Sequence, residues 1–225
     1  IGLQTLLDDC PKKEQYTISD IIFGIGPRIN AAGRIADAKA AVKVLIEKDY
    51  NTAKKYAKVL SERNHERKEL DSDITRDAVD MVQNSPRLMS KYSMVLQGEG
   101  WSKGVIGIVA SRMVEQFYKP TIVFSLNDAM LTGSARSIKT FDIHEAIGAC
   151  GELVEQFGGH KYAAGLSIKV ENFDAFADKF EAIVRESVTA DDLVPVVEYD
   201  MEMETSMITP GMMKILKQLS PFGPG

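Results

Sequence analysis

The sequence predicts an α/β protein hung on one long helix. Three observations carry this. Residues 51–84 place apolar or small side chains at 53, 56, 57 and 60, then at 74, 78, 81 and 82, a spacing of three and four. From residue 92 onward, short β-prone apolar runs alternate with amphipathic stretches, as strands alternating with helices do. Glycine and proline punctuate the boundaries between them.

At the N-terminus, "TISDIIFGIGPRINAAGR" (17–34) mixes a short apolar run with Gly24, Gly26, Pro27 and Gly33, which favours a loop. Asp37 is placed to cap a helix over 38–49. The long helix follows. Its middle, "SERNHERKE" (61–69), is polar on every face, as in a helix that bridges two bodies through solvent. At 1.5 Å per residue it spans roughly 50 Å, and Pro86 closes it. The α/β part then reads as a strand at 92–98, a helix at 104–117, strands at 120–126 and 130–138, and a helix at 141–157. A strand at 163–170 and a helix at 172–187 capped by Asn172 complete it. "DDLVP" (191–195) reads as a linker, 196–206 alternates like a strand, and 209–219 reads as a short helix. That last piece is too small for a core of its own and is expected to begin a truncated domain.

Composition excludes some classes. The hydrophobic content of 44% and charged content of 26% are those of an ordinary globular chain. No apolar run approaches the ~18 residues of a membrane span. Cys10 and Cys150 lie far apart and form no C-x-x-C pair, which argues against zinc or a disulfide framework and for a reducing, cytoplasmic setting. The net charge of −5 is uneven. Residues 1–170 carry 23 Lys/Arg against 21 Asp/Glu, and residues 171–225 carry 4 against 11. The acidity belongs to the last quarter, which leaves room for a locally basic groove before it. The chain starts on Ile1 and ends on "PFGPG", and is read as an excised piece of a longer protein.

Several clusters are chemically suggestive. In "EQFGGHKYAAGLSI" (155–168), Gly158 and Gly159 would let backbone N–H groups approach an anion, with His160 as a donor beside them. On residue types alone, a helix stop at Gly158 followed by tight packing is the stronger reading. In "GSARSIK" (133–139), Ser134 and Arg136 are two apart and share one side of a strand, where a guanidinium and a hydroxyl suit phosphate. A surface arginine on an edge strand is the plainer alternative. "GEGWSKGVIGIVASR" (98–112) has glycines between a strand and a helix but fits no nucleotide-loop spacing. Trp101 in it could be core or a platform on which a base stacks, with core the stronger reading. "FDIHEA" (141–146) tempts a metal reading, yet Asp142 and Glu145 are spaced as a capping box. "GPRINAAGR" (26–34) offers Arg28, Asn30 and Arg34 to a phosphate backbone. No cluster supplies the several Asp and His ligands of a two-metal phosphoesterase.

Taken in order, "FGIGPRINAAGRI", the charged helix, "GEGWSKGVIGIVASR", "GSARSI", "FDIHEAI" and "FGGHKYAAGLSI" closely resemble the RecJ family. These are bacterial 5′→3′ exonucleases of the DHH phosphoesterase superfamily, specific for single-stranded DNA. The resemblance covers nearly the whole chain. It implies the C-terminal end of a DHH domain at 1–50 and a connector helix at 51–87. It further implies a mixed-sheet DHH-associated, substrate-binding domain at 88–188 and the start of an oligonucleotide-binding barrel at 193–225. It implies single-stranded DNA as partner, no membrane, other DNA-repair proteins through the missing parts, and a Mn²⁺ or Mg²⁺ centre whose ligands lie upstream of Ile1. None is expected in the fragment. Carried over by position, Ser134 and Arg136 belong to the pocket for the DNA 5′ end. Gly158, Gly159 and His160 lie beside the scissile phosphate, and Arg28, Asn30 and Arg34 on a loop facing the same groove. Ser102 stands where members commonly carry histidine.

The expected function is thus phosphodiester hydrolysis of single-stranded DNA by the parent protein, with this chain holding the 5′ end and scissile phosphate. The chain alone is expected to show little or no nuclease activity. The alternatives are a DHH phosphoesterase acting on short oligonucleotides or cyclic dinucleotides, and a non-catalytic nucleic-acid-binding module.

Overall fold

A computed structural model describes residues 1–222 apart from Lys12, Gln15, Ala36, Asp37 and Asp128. The proposed cap Asp37 therefore lies outside the described residues. Four helices come first: α1 (Gly2–Asp8), α2 (Ile18–Asp20), α3 (Gly26–Ile35) and α4 (Lys39–Ile46), with a π-helical turn, Ile21–Ile25, joining α2 to α3. The long helix α5 (Tyr50–Gln83) follows, then a short α6 (Pro86–Met89). The α/β part runs β1 (Met94–Glu99), α7 (Ile106–Phe117), β2 (Thr121–Asn127), β3 (Met130–Arg136), α8 (Ile143–Ala149), β4 (Gln156–His160), β5 (Ala163–Lys169) and α9 (Phe173–Ser187). A last helix, α10 (Pro210–Leu219), follows an extended stretch.

The α5 helix joins two hydrophobic cores. Its N-terminal third buries Ala57 and Leu60 against Leu6, Ile25, Ala32 and Val44. Its C-terminal third buries Ile74, Ala78 and Val82 against α7 and β1. The polar middle lies mostly in solvent, as its sequence requires. Asp49 starts the helix by accepting from the Thr52 N–H at 2.8 Å. Within the bridge, Asp71 is only 1% exposed and accepts from Arg112 Nη2 on α7 at 2.7 Å, tying the helix to the second body.

The sheet is mixed, in the order β1-β2-β3-β5-β4. Only β1 and β2 run parallel, with α7 as their crossover. One face packs on α8 and α9 through Phe124, Leu131, Ala135, Leu166, Phe176 and Phe180. On the other face α7 covers β1 and β2 through Val109, Met113, Leu96 and Val123. It reaches as far as β3, where Gly107 lies against Ser134 and Arg136, so the β5-β4 part of this face stays open.

Four expectations are corrected. Residues 17–34 are helical. Pro27 lacks the N–H that an α-helix would use, and the preceding turn widens so that the Gly26 N–H bonds to Ile21 O, five residues back. Residues 141–157 are not one helix: α8 ends at Ala149, and the segment around Gly158 is strand β4, so Gly158 stops no helix. Residues 196–206 form no strand; no described strand lies alongside to accept their ladder. Asn172 heads α9 without a side-chain cap bond, its Nδ2 donating instead to Leu153 O at 3.3 Å.

Candidate nucleic-acid interface

Strand register builds the open face. Arg136 on β3 pairs with Ala163 on β5, which pairs with His160 on β4. Ser134, Gly165 and Gly158 form the next row, and Thr132, Ser167 and Gln156 the third. Cross-strand partners point to the same side of a sheet, so these nine residues share one surface. Arg136 and His160 are two strand spacings apart, about 10 Å. The middle row presents two glycines and a serine, so the peptide planes themselves are the floor.

Arg136 is half-buried. It donates from Nη1 to Ser134 Oγ at 3.1 Å and to the Ala135 carbonyl at 2.7 Å. Burial, and then the charge of Arg34, pull its pKa below the usual guanidinium value. The charge acting on this cation is therefore another cation. Arg34 lies on α3 and donates to Gly104 O at 3.1 Å. Among the described residues no carboxylate pairs with either guanidinium. Two like charges acting on each other without a carboxylate raise the electrostatic cost of the bare site, a cost that an anion would lower.

Glycines make that meeting possible. A Cβ on Gly104 would stand 2.1 Å from Arg34 O, so only glycine lets α3 approach the start of α7. A Cβ on Gly107 would stand 3.0 Å from both Arg136 Nη2 and Ser134 Oγ. Gly104 and Gly107 thus serve close packing around the arginines. Trp101 is core, 7% exposed, with its ring stacked where a Cβ on Gly98 would be.

The other sequence candidates separate. Asn30 is exposed and lies four residues before Arg34, on the same side of α3. Arg28 lies on a different side. It donates to Leu6 O at 2.8 Å and Asp9 O at 3.2 Å, tying α3 to the end of α1, so the structure does not bring it to Arg136. His160 is exposed, and its Nδ1 accepts from the Tyr162 N–H at 3.4 Å, which leaves Nε2 turned outward as the ring's other hydrogen-bonding atom. The two neighbouring glycines differ. Gly159 sits at φ +151°, and a Cβ there would stand 2.3 Å from Ala163 O. Gly158 has no atom within 4 Å of a Cβ position. Gly159 is required by the backbone, whereas Gly158 is not.

Sequence reasoning missed Thr132, Ser167 and Gln156. Alternation along "TGSAR" would have found Thr132, two residues before Ser134; the other two need the β5-β4 register. His144 belongs to no cation site. Its ring meets that of Phe157 at 5.3 Å between centroids, tilted by 47°, and Asp142 caps α8 by accepting from the His144 and Glu145 N–H groups. Among the described residues no three His, Cys, Asp or Glu side chains are grouped to hold a metal ion. Nor does any helix among them have the length and apolarity to cross a membrane.

Residues 90–186 match the DHHA1 domain family. The chain is 35% identical over 229 residues to the single-stranded-DNA-specific exonuclease RecJ of Bacillus subtilis, covering 99% of this chain and 28% of that protein. It is 32% identical to the Haemophilus influenzae RecJ, covering 94% and 38% respectively. The crystal structure of RecJ in complex with Mg²⁺ from Thermus thermophilus superposes with a TM-score of 0.84 at 28% identity, over 99% of this chain and 34% of that one. A RecJ exonuclease structure bound to manganese gives 0.70 at 29% identity, over 85% and 49%. The chain therefore spans well under half the length of the curated relatives it matches.

Proposed function

Because this chain is a homologue of the RecJ exonucleases over nearly its whole length and carries a DHHA1 domain, we propose that it is the part of a single-stranded-DNA 5′→3′ exonuclease that seats the 5′ end of the strand. Residues 1–50 would close a catalytic domain, 51–87 connect it, 88–188 bind substrate, and 193–225 begin a further domain. The setting would be cytoplasmic. The observation that supports this reading is the pair of unneutralised guanidiniums, Arg34 and Arg136, beside an open face of glycine and small polar side chains.

The work of these residues is positioning. The 5′-terminal phosphate sits between Arg136 and Ser134, with Arg34 closing from α3. The following, scissile phosphate runs over Gly158 toward His160, at the edge strand. Gly158 lets the backbone of the strand lie directly on peptide groups, and with Nδ1 accepting from Tyr162 N–H, His160 Nε2 is the nitrogen that carries the hydrogen and donates to a phosphate oxygen. Asn30, on the Arg34 side of α3, adds a neutral donor. Arg28 is left with a structural part. Related structures contain Mg²⁺ or Mn²⁺, and in this reading the bond-breaking step belongs to other parts of the parent protein.

Two assays on the purified chain test this. Incubation with labelled single-stranded DNA and Mn²⁺ is expected to leave the DNA intact. Binding of matched single strands is expected to favour the 5′-phosphorylated one over its 5′-hydroxyl counterpart by roughly 10-fold or more, as a charge-assisted contact warrants. Degradation, or equal binding of the two ends, would overturn the reading.

A further inference from the structure

Next to the arginines, the open face continues into a shallow recess of about 320 Å³ whose lining includes Thr132, Gln156, Gly158 and Gly165. Its floor is main chain. Ser167 stands between Thr132 and Gln156 in the third row and is 8% exposed. Its hydroxyl makes no hydrogen bond to any described residue and is not sealed from solvent, so it is free to meet a ligand. Thr132 and Gln156 likewise keep their side-chain polar groups unengaged within the described residues.

We propose that this recess holds the nucleoside at the 5′ end of the strand, its base lying on the Gly165–Gly158 floor and its polar edge meeting Thr132, Ser167 and Gln156. The inference rests on the reading that Arg136 and Ser134 hold the 5′ phosphate. The second and third rows are two residues apart, about 7 Å, so a nucleoside whose phosphate is at Ser134 reaches the third row. The chemistry fits a base of any identity. Two hydroxyls and a carboxamide each donate and accept, and the four bases differ in which of the two they offer. A hydroxyl can rotate and a carboxamide can flip, so each can present the donor or the acceptor that a given base needs. The recess therefore recognises that a base is present without recognising which one, as a nuclease that shortens any sequence requires.

The test compares two 5′-phosphorylated single strands in equilibrium binding to the chain: one with an ordinary terminal nucleotide, one with an abasic terminal residue. The ordinary end is expected to bind roughly 5- to 20-fold tighter, the worth of two neutral hydrogen bonds, with the four bases within about 3-fold of one another on the same basis. The double variant Ser167→Ala/Gln156→Ala, checked for unchanged melting, is expected to bind both strands alike while keeping its preference for a 5′ phosphate. Equal binding of the two strands by the unaltered chain, with phosphate preference intact, would overturn the recess assignment alone. A strong preference for one base would do the same. Loss of any preference for the 5′ phosphate would overturn the phosphate site, and the recess with it.

Discussion

Gly158 and Gly159 are adjacent in strand β4, yet alanine at each has opposite consequences. At Gly159 a Cβ would meet Ala163 O at 2.3 Å and Ala164 Cα at 2.5 Å, both main-chain atoms that cannot swing aside. Its φ of +151° adds strain for any L side chain. Strain of that kind costs about 1–3 kcal/mol, and forcing the strands apart costs a similar ~1–3 kcal/mol. The narrowed unfolded ensemble returns about 0.4–1 kcal/mol. Gly159→Ala is therefore expected to lose about 2–5 kcal/mol, which at ~2–4 °C per kcal/mol for a chain this size lowers Tm by roughly 5–15 °C. At Gly158 nothing lies within 4 Å of the new methyl. Gly158→Ala is expected to hold or raise stability by up to about 1 kcal/mol. The same methyl stands on the open face proposed to carry the DNA strand, and a misplaced methyl costs a binding site roughly 10-fold in affinity. Thermal melting and 5′-phosphorylated strand binding on both variants separate the two roles. Equal destabilisation by the two substitutions, or normal binding by Gly158→Ala, would refute the assignment of Gly159 to backbone geometry and Gly158 to the ligand.

Other outcomes follow from the fold. Glu181 on α9 is 8% exposed and accepts from the Tyr92 and Ser93 N–H groups, Ser93 Oγ and Arg185 Nε. Glu181→Gln, which weakens these bonds to the joint before β1, is expected to cost about 1–3 kcal/mol in urea unfolding; an unchanged midpoint would count against it. Burial pushes the Cys150 thiol up to about 11, so at pH 8 the native chain should resist alkylation there and lose that resistance in denaturant. Hydrogen bonding to Thr52 holds the Asp49 carboxyl below its ordinary value of 3.8. Its contribution to the start of α5 is complete above that value and is lost as pH falls through the lower folded value. The helicity advantage of the chain over Asp49→Asn should therefore hold at neutral pH and close as pH falls below about 4, given the ordinary carboxylate range.

The legible parts of this chain are those with local signals. The long helix is predicted at 51–84 and runs Tyr50–Gln83, because its apolar spacing and its Asp49 cap are contained in its own residues. Ser134 and Arg136 share a face because alternation is local. The "GGH" segment is harder. Two glycines leave no alternation to see, and β4 exists only through pairing with β5. Once paired, its register puts His160 on the face of Arg136, which residue types alone could not state. The 17–34 segment carries loop residues, but a single widened turn absorbs Pro27 and lets Arg34 ride a helix instead of a loop. The alternation at 196–206 is a necessary condition for a strand and not a sufficient one. Arg28 shows the limit of reading charge as function, since its guanidinium is taken up by the carbonyls of Leu6 and Asp9.

The central claim is that Arg34 and Arg136, far apart in sequence, hold one phosphate. A double-mutant cycle measures it directly: binding of 5′-phosphorylated and 5′-hydroxyl single strands by the chain, Arg34→Ala, Arg136→Ala and the double variant. If both cations meet the same 5′ phosphate, each single substitution lowers the phosphate preference, and the pair is non-additive by about 0.5–3 kcal/mol. Strictly additive losses, or a phosphate preference that survives Arg136→Ala, would contradict it.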